Sequence, residues 1–357
     1  MRLRCRNLSL YLCWLVAAAT AAALHARPSL PSSSARRSRV VRCQLASAID
    51  ASLRSRFDER HIGRVLSAWQ RMRDGMLHDE PLPSDSLDPM MRQQANSFIE
   101  GLPTQPFHDA SQLSWVRGLE GQWEEIAAEL ASVLARGGPE QCGGNDWAGI
   151  GDATGGRDAT AVSYGPEWRT LGLQDRGLWD PLNMRIFPRT TAALRECEVP
   201  CVEAFFAKMA AGSDIKPHSD GCNFHLTSHL GLDVPEGECS LKVGDVTREW
   251  RNGELLLFDT SILHSAKNEA AVDRYVLMMR LWHPDLAPRE IEALQHIFDC
   301  LDDPSLAAPP PQPRHEPRSP ARSPQQPAQS GAGSRAERRA AAKAAKKAAK
   351  KAIQRNR

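Results

Sequence analysis

Apolar positions along the chain change period near residue 180. Upstream, Ile62, Val65, Leu66, Trp69 and Met72 recur at three- and four-residue steps, as do Leu119, Trp123, Ile126, Leu130, Val133 and Leu134. That spacing follows the helical turn and predicts two amphipathic helices within 54–136. Downstream the apolar runs are short and bounded by turn residues. Val202–Phe206, Phe224–Val234, Cys239–Trp250, Glu254–Phe258 and Arg274–Trp282 read as strands, with Pro235-Glu-Gly237 and Asn252-Gly253 as hairpin-type turns. Closely spaced strands without intervening helices point to an antiparallel barrel or double-sheet jelly roll. A last helix is expected over Arg289–Ile297, with Asp285 as its cap.

The two ends follow neither pattern. From Asn7 to Ala26 there is no Lys, Arg, Asp or Glu, Arg2, Arg4 and Arg6 stand in front, and Ala21–Ala23 offers a cleavage site. That is the layout of a signal peptide, and the run also nearly reaches bilayer-spanning length, so an uncleaved anchor is a second reading. Residues 27–48 are rich in Ser and Arg and contain no acid, the composition of a transit peptide. Signal followed by transit is similar to the bipartite leader of algae with complex plastids. Plastid import is therefore the expected destination; secretory residence, or membrane anchoring by residues 7–26, is the alternative. At the far end, 301–330 is Pro-rich and reads as an extended linker. Within 331–357, basic residues from Arg335 onward recur at helical steps on an Ala-rich background, putting the charge on one face. That tail, 335–357, is either a contact for an anionic partner (nucleic acid or a membrane surface) or a solvated helix.

Charge separates these parts more clearly than the whole-chain value of +2 suggests. Residues 1–53 hold eight Lys/Arg and one acid, and 305–357 hold thirteen and two, leaving 54–304 with 24 basic against 40 acidic residues. The middle is thus an acidic body with a net charge of −16, long enough to bury its own core. It is expected to comprise a helical lead-in (54–136), a Gly-rich loop (137–160) and a mainly β domain (161–300). The loop contains Gly149-Ile-Gly-Asp-Ala-Thr-Gly155, but the spacing is wrong for a dinucleotide fingerprint and no strand precedes it. Nine cysteines include no C-x-x-C pair, so no structural zinc is expected. Cys197 and Cys201 are close enough in sequence to pair in an oxidising compartment; thiols are the simpler reading.

Chemistry concentrates in the β region. His218-Ser219-Asp220 places an imidazole and a carboxylate on the same side of extended chain. His264 follows Leu255–Asp259, and two histidines with one carboxylate leave three positions open on an octahedral metal, as in non-haem Fe(II) oxygenases. Arg274, ten residues on, is placed to pair with the far carboxylate of 2-oxoglutarate, whose other end chelates iron. His-x-Asp alone is a weak signal. A second copy, His283-Pro284-Asp285, lies beyond the last predicted strand and is read as structural.

The combined motifs resemble the aspartyl/asparaginyl β-hydroxylase family of 2-oxoglutarate oxygenases over roughly 100–295. The resemblance is carried by Pro217-His-Ser-Asp-Gly-Cys-Asn223, His229-Leu-Gly-Leu-Asp-Val-Pro235, Trp250-Arg-Asn-Gly-Glu254, Phe258-Asp-Thr-Ser-Ile-Leu-His264 and Leu281-Trp-His-Pro284. Pro106-Phe-His-Asp109 and Leu119-Glu-Gly-Gln-Trp-Glu-Glu-Ile126 extend it upstream. It implies a double-stranded β-helix (jelly roll, cupin-like) preceded by a helical N-terminal region, using Fe(II), 2-oxoglutarate and O2. It implies His218 and His264 as metal ligands, which the His-x-Asp reading completes with Asp220 into the catalytic centre, Arg274 as the cosubstrate arginine and His229 as a second cosubstrate contact. The expected activity is hydroxylation of an Asp/Asn-type side chain in a peptide or protein. A lipid or small-molecule hydroxylase with the same iron site, and a non-catalytic jelly-roll binding module, are the alternatives. Two positions depart from the animal members that hydroxylate EGF-like domains: those have no carboxylate where Asp220 stands, and they carry a second cosubstrate-facing arginine where this chain has Thr227. Trp168 and the Gly-rich loop are candidate substrate contacts, Trp168 equally a core residue.

Overall fold

Strands cover most of residues 201–282 in the computed structural model, which describes residues 33–149 and 163–308, with side chains from 43 onward. The chain divides at Pro309/Pro310, and everything described belongs to the first unit. The charge-free run at 7–26, part of the Gly-rich loop, most of the Pro-rich linker and the basic tail lie outside the described residues. No helix among the described residues is long and apolar enough to cross a membrane.

The helical region opens with α1 (Ser33–Arg56) and α2 (Glu59–Arg73), followed by β1 (His78–Pro81), β2 (Arg92–Ser97) and β3 (Phe107–His108). Next come α3 (Val116–Glu120), α4 (Trp123–Ala135), β4 (Ala148–Gly149), β5 (Trp168–Asp175), β6 (Leu178–Trp179), α5 (Asn183–Ile186) and α6 (Pro188–Glu196). The β body comprises β7 (Cys201–Met209), β8 (Ser213–His218), β9 (Gly221–Cys222), β10 (His225–Asp233) and β11 (Cys239–Val243). It continues with β12 (Val246–Glu249), β13 (Leu255–Phe258), β14 (His264–Asn268) and β15 (Arg274–Trp282), and α7 (Pro288–Asp302) follows.

The large sheet runs β3-β13-β10-β15-β7-β5-β4, and the small one runs β12-β11-β14-β8. Along the chain, β7 joins the large sheet, β8 the small, β10 the large, β11 and β12 the small, and β13, β14 and β15 alternate again. Pairings inside both sheets are antiparallel. This alternation winds the strands into a double-stranded β-helix, preceded by a helical region. β2 pairs in parallel with β9, which ties the N-terminal region to the turn after His218.

Side-chain alternation explains how the layers form. On β15, Tyr275, Leu277, Met279 and Leu281 face outward onto α3, α4 and α6, packing with Leu119, Ile126, Leu130 and Leu194. Val276 and Met278 face inward, with Phe205, Ala207, Met209, Ile215, Leu241 and Phe258. A third cluster joins α1, α2 and α7 through Ile49, Leu53, Val65, Trp69, Leu294 and Phe298. Arg64 locks this layer by donating to both carboxylate oxygens of Glu290, at 2.8 and 2.6 Å.

Several expectations need correction. Ile49 and Leu53 are fully buried, so the packed body begins upstream of the boundary drawn at residue 53. The stripe from Leu119 to Leu134 spans two helices, because Gly121 ends α3 and Gln122 leaves helical geometry (φ −108, ψ 5). Cys239–Trp250 is a hairpin rather than one strand: Gly244, at φ +58, turns the chain between Val243 and Val246. Strands β8 and β14 had no apolar run to announce them. Asp285 does not cap α7, whose N-cap is Ala287, with its N–H donating to Glu290 at 2.9 Å. His283 lies 3.2 Å from the Pro103 carbonyl and accepts from the Asp285 N–H at 3.1 Å, a structural arrangement.

Candidate metal centre

The small sheet brings His218 and His264 side by side, and Asp220 stands in the turn that follows β8. His218 closes β8, His264 opens β14, and the two are direct partners in the register. Gly221, at φ +78, turns the chain after Asp220, and the Asp220 N–H donates to the Thr260 carbonyl at 2.8 Å. That bond fastens the His-x-Asp turn to the loop leading into β14. Gln93 reinforces the loop from β2 by donating to the Ser261 hydroxyl at 2.8 Å.

One potential ligand atom from each of the three residues lies within 4.8 Å of the others. The His218 and His264 ring centres are 4.2 Å apart, and His218 Nε2 is 3.7 Å from Asp220 Oδ1. Backbone carbonyls set both tautomers. His218 Nδ1 is 2.8 Å from the Lys216 oxygen and His264 Nδ1 is 2.9 Å from the Ile262 oxygen. A carbonyl only accepts, so each Nδ1 carries the proton and each Nε2 presents its lone pair. Burial holds both imidazoles below their ordinary pKa, against the pull of Asp220, with His218 pushed down to about 4. Neutral imidazole is the metal-binding form. Burial alone would raise the Asp220 carboxyl, but Arg280, then His264 and His218, hold it below the usual carboxylate range. An ionised carboxylate and two neutral imidazoles match the donor set of a divalent transition metal.

A second group of polar atoms lines the same cavity. Arg274 is 1% exposed, lies 4.4 Å over the Trp250 ring, and leaves Nε and Nη1 without a partner among the described residues. Burial pushes its pKa down to about 10, so it stays charged at neutral pH. The Trp250 indole N–H donates to His229 Nδ1 at 3.1 Å. Indole nitrogen is a donor only, so the proton of His229 sits on Nε2, which also lacks a partner. Thr227 and Thr260 add hydroxyls in the same condition. Buried polar groups are almost always satisfied, so this collection of donors marks a site for an anionic ligand. All five expected residues therefore line one cavity, together with Tyr164, Trp168, Trp250 and Phe258. Trp168 is a wall residue, 3% exposed and packed on Tyr164. Cys197 and Cys201 are separate thiols, with Cys197 near Gln122 at 3.4 Å and Cys201 near Gln174 at 3.5 Å.

Three residues around the centre were not singled out from sequence. Tyr164 donates its hydroxyl to Asp220 Oδ1 at 2.9 Å, Arg280 donates to Oδ2 at 3.0 Å, and Glu203 sits 3.4 Å from Arg280 Nε. The signal for Arg280 was alternation: it shares the inward face of β15 with Arg274. Glu203 likewise shares the inward face of β7 with Phe205. Tyr164 follows the Gly-rich loop and belongs to no periodic segment.

A double-stranded β-helix enclosing a His–Asp–His cluster defines a jelly-roll protein with a candidate metal centre. Residues 120–284 match the model of the family described as Aspartyl/Asparaginyl beta-hydroxylase. Among similar proteins, human "Aspartate beta-hydroxylase domain-containing protein 2" is 39% identical over 140 residues, covering 37% of this chain and 38% of that protein. Human "Aspartyl/asparaginyl beta-hydroxylase" is 26% identical over 210 residues, 56% of this chain and 25% of that protein. "Ornithine lipid ester-linked acyl 2-hydroxylase" of Rhizobium tropici is 27% identical over 186 residues, 51% of this chain and 62% of that protein. The chain thus spans well under half the length of the two human relatives.

Proposed function

We propose that the protein is an Fe(II)- and 2-oxoglutarate-dependent hydroxylase acting on an Asp/Asn-type side chain of a peptide or protein. The observation that carries this reading is the pairing, in one cavity, of a His218–Asp220–His264 donor set with unpartnered donors on Arg274 and His229. His218 Nε2, His264 Nε2 and an Asp220 oxygen would hold the iron. Bound there, iron with 2-oxoglutarate and O2 supplies the oxidising power for C–H hydroxylation. Arg274 binds the distal carboxylate of the cosubstrate, and its stacking on Trp250 keeps the guanidinium from turning away. The His229 N–H and the Thr227 hydroxyl orient the same carboxylate. Trp168, Trp250 and Phe258 wall the cavity and exclude water from the reacting atoms. The formal charges of Arg274, Arg280, Asp220 and Glu203 cancel, and a divalent cation with a dianionic cosubstrate preserves that balance in the buried site.

A lipid-type substrate is the second reading, favoured by the similarity to the ornithine lipid hydroxylase. One assay separates the two: incubate the protein with Fe(II), 2-oxoglutarate, and candidate peptides or lipids, and follow succinate. Peptide-dependent succinate supports the first reading and lipid-dependent succinate the second. No succinate above background with any substrate, from folded protein that binds 2-oxoglutarate, contradicts the enzymatic reading and favours a binding module.

A further inference from the structure

Asp220 is buried, with 2% of its side chain exposed, and its two oxygens have different neighbours. Oδ1 lies 3.7 Å from His218 Nε2 and accepts the Tyr164 hydroxyl at 2.9 Å. Oδ2 accepts from Arg280 Nη2 at 3.0 Å. Arg280 cannot swing, because it is itself 2% exposed and its Nε faces Glu203 at 3.4 Å. Glu203 is its direct partner in the β15–β7 register, and Thr227 its partner on the β10 side. The small threonine leaves the guanidinium free to reach past β10 toward the His-x-Asp turn. A carboxylate on a two-residue turn can rotate about its side-chain bonds, and without a fixed cation on one oxygen either edge can face the histidines.

We propose that Arg280, braced by Glu203, is a positioning residue that fixes Asp220 as the third metal ligand by holding Oδ2 and leaving Oδ1 toward the two imidazoles. The inference rests on reading this cluster as a metal site. It assigns the Arg280–Glu203 pair a task distinct from that of Arg274, which lies on the same strand and face but pairs with neither Asp220 nor Glu203. Outer partners of this kind orient ligands, and their loss typically weakens metal binding by about 10–100-fold.

The test uses the full protein and Co(II), whose visible spectrum reports its coordination, with no turnover required. Replacing the pair by Arg280→Met with Glu203→Gln removes one charge of each sign and keeps the volume, so that the fold is retained. Co(II) affinity is expected to fall about 10–100-fold, with a spectrum shifted toward that of Asp220→Gly. Adding Asp220→Gly to the paired variant is expected to cost nothing beyond Asp220→Gly alone, since the pair acts only through that carboxylate. Unchanged affinity and spectrum in the paired variant, or losses that multiply in the combined one, would overturn the assignment while leaving the metal site standing. A wild-type protein that takes up no Co(II) would overturn the metal reading and this inference with it. Should the paired variant not fold, Arg280→Lys carries the test, because its ammonium cannot hold Oδ2 while bracing on Glu203. A shifted Co(II) spectrum supports the role, and one identical to wild type overturns it.

Discussion

Histidines 108, 218, 229, 264, 283 and 296 are all held below their ordinary pKa, in each case chiefly by burial, with His108 and His218 pushed down to about 4. In the unfolded chain each takes a proton near pH 6.5. Between about pH 6.5 and 4 the unfolded state therefore binds more protons, and stability falls as pH falls through that window. Asp259 works the other way: burial pushes its carboxyl up to about 7, so the folded state gains a proton there that the unfolded chain does not. Six groups against one decide the sign. Thermal melts of metal-free protein are expected to drop from pH 7 to pH 4.5, and Asp259→Asn, which removes the opposing group, should steepen the fall. A melting temperature flat across that range would contradict the assignment of neutral histidines. At the cosubstrate pocket, Arg274→Ala is expected to weaken 2-oxoglutarate binding by about 10–100-fold, the worth of a charge-assisted contact, with Fe(II) affinity little changed. Calorimetric titration of each ligand separately checks this.

The secondary-structure elements show which positions were legible and which were not. β7, β10, β13 and β15 were expected because their apolar runs are buried on both faces, and α2 because its stripe matches its buried face. His218, Asp220, His264 and Arg274 were legible as an ordered set of spacings and His229 through the family resemblance, and the structure brings all five to one cavity. β8 and β14 were not, since Ser213–His218 and His264–Asn268 are polar sequences that gain their place by pairing with each other. Arg280 was hidden for the opposite reason: a charge in an apolar strand looks like an edge, whereas here Glu203 and Asp220 neutralise it inside the barrel. The leader boundary was set too late because α1 is Ser- and Arg-rich where it begins and apolar where it packs. Leu53→Ala is accordingly expected to destabilise the protein by about 2–5 kcal/mol, the usual cost of emptying a buried leucine site. Denaturant unfolding gives that number; no change would mean that α1 is not part of the core. On β10, a Cβ at Gly231 would come within 2.2 Å of the Arg251 carbonyl oxygen, so Gly231→Ala must displace one of the two backbones. A loss of about 1–3 kcal/mol is expected by the same measurement.

At the scale of the whole chain, segregated charge suggests separate tasks for its parts. The net charge of −16 over 54–304 would repel a polyanion from the region that contains the cavity, whereas the basic residues of 335–357 would attract one. We propose that the tail tethers the protein to an anionic partner and that the N-terminal leader directs it to the plastid, with secretory or membrane-anchored residence the alternative. Binding to anionic vesicles or nucleic acid is expected to weaken steeply with salt and to vanish on deleting 330–357, while 2-oxoglutarate turnover is unaffected. Binding that survives the deletion would place the contact elsewhere. All of these tasks are secondary to the chemistry of the cavity, which one measurement addresses directly. Fe(II) and 2-oxoglutarate are added together under anaerobic conditions and the visible absorption is recorded for the wild type and His218→Ala. The arrangement of His218, Asp220, His264 and Arg274 predicts a metal-to-ligand charge-transfer band in the wild type that His218→Ala loses. No band in the wild type, or an undiminished band in the variant, would contradict the account.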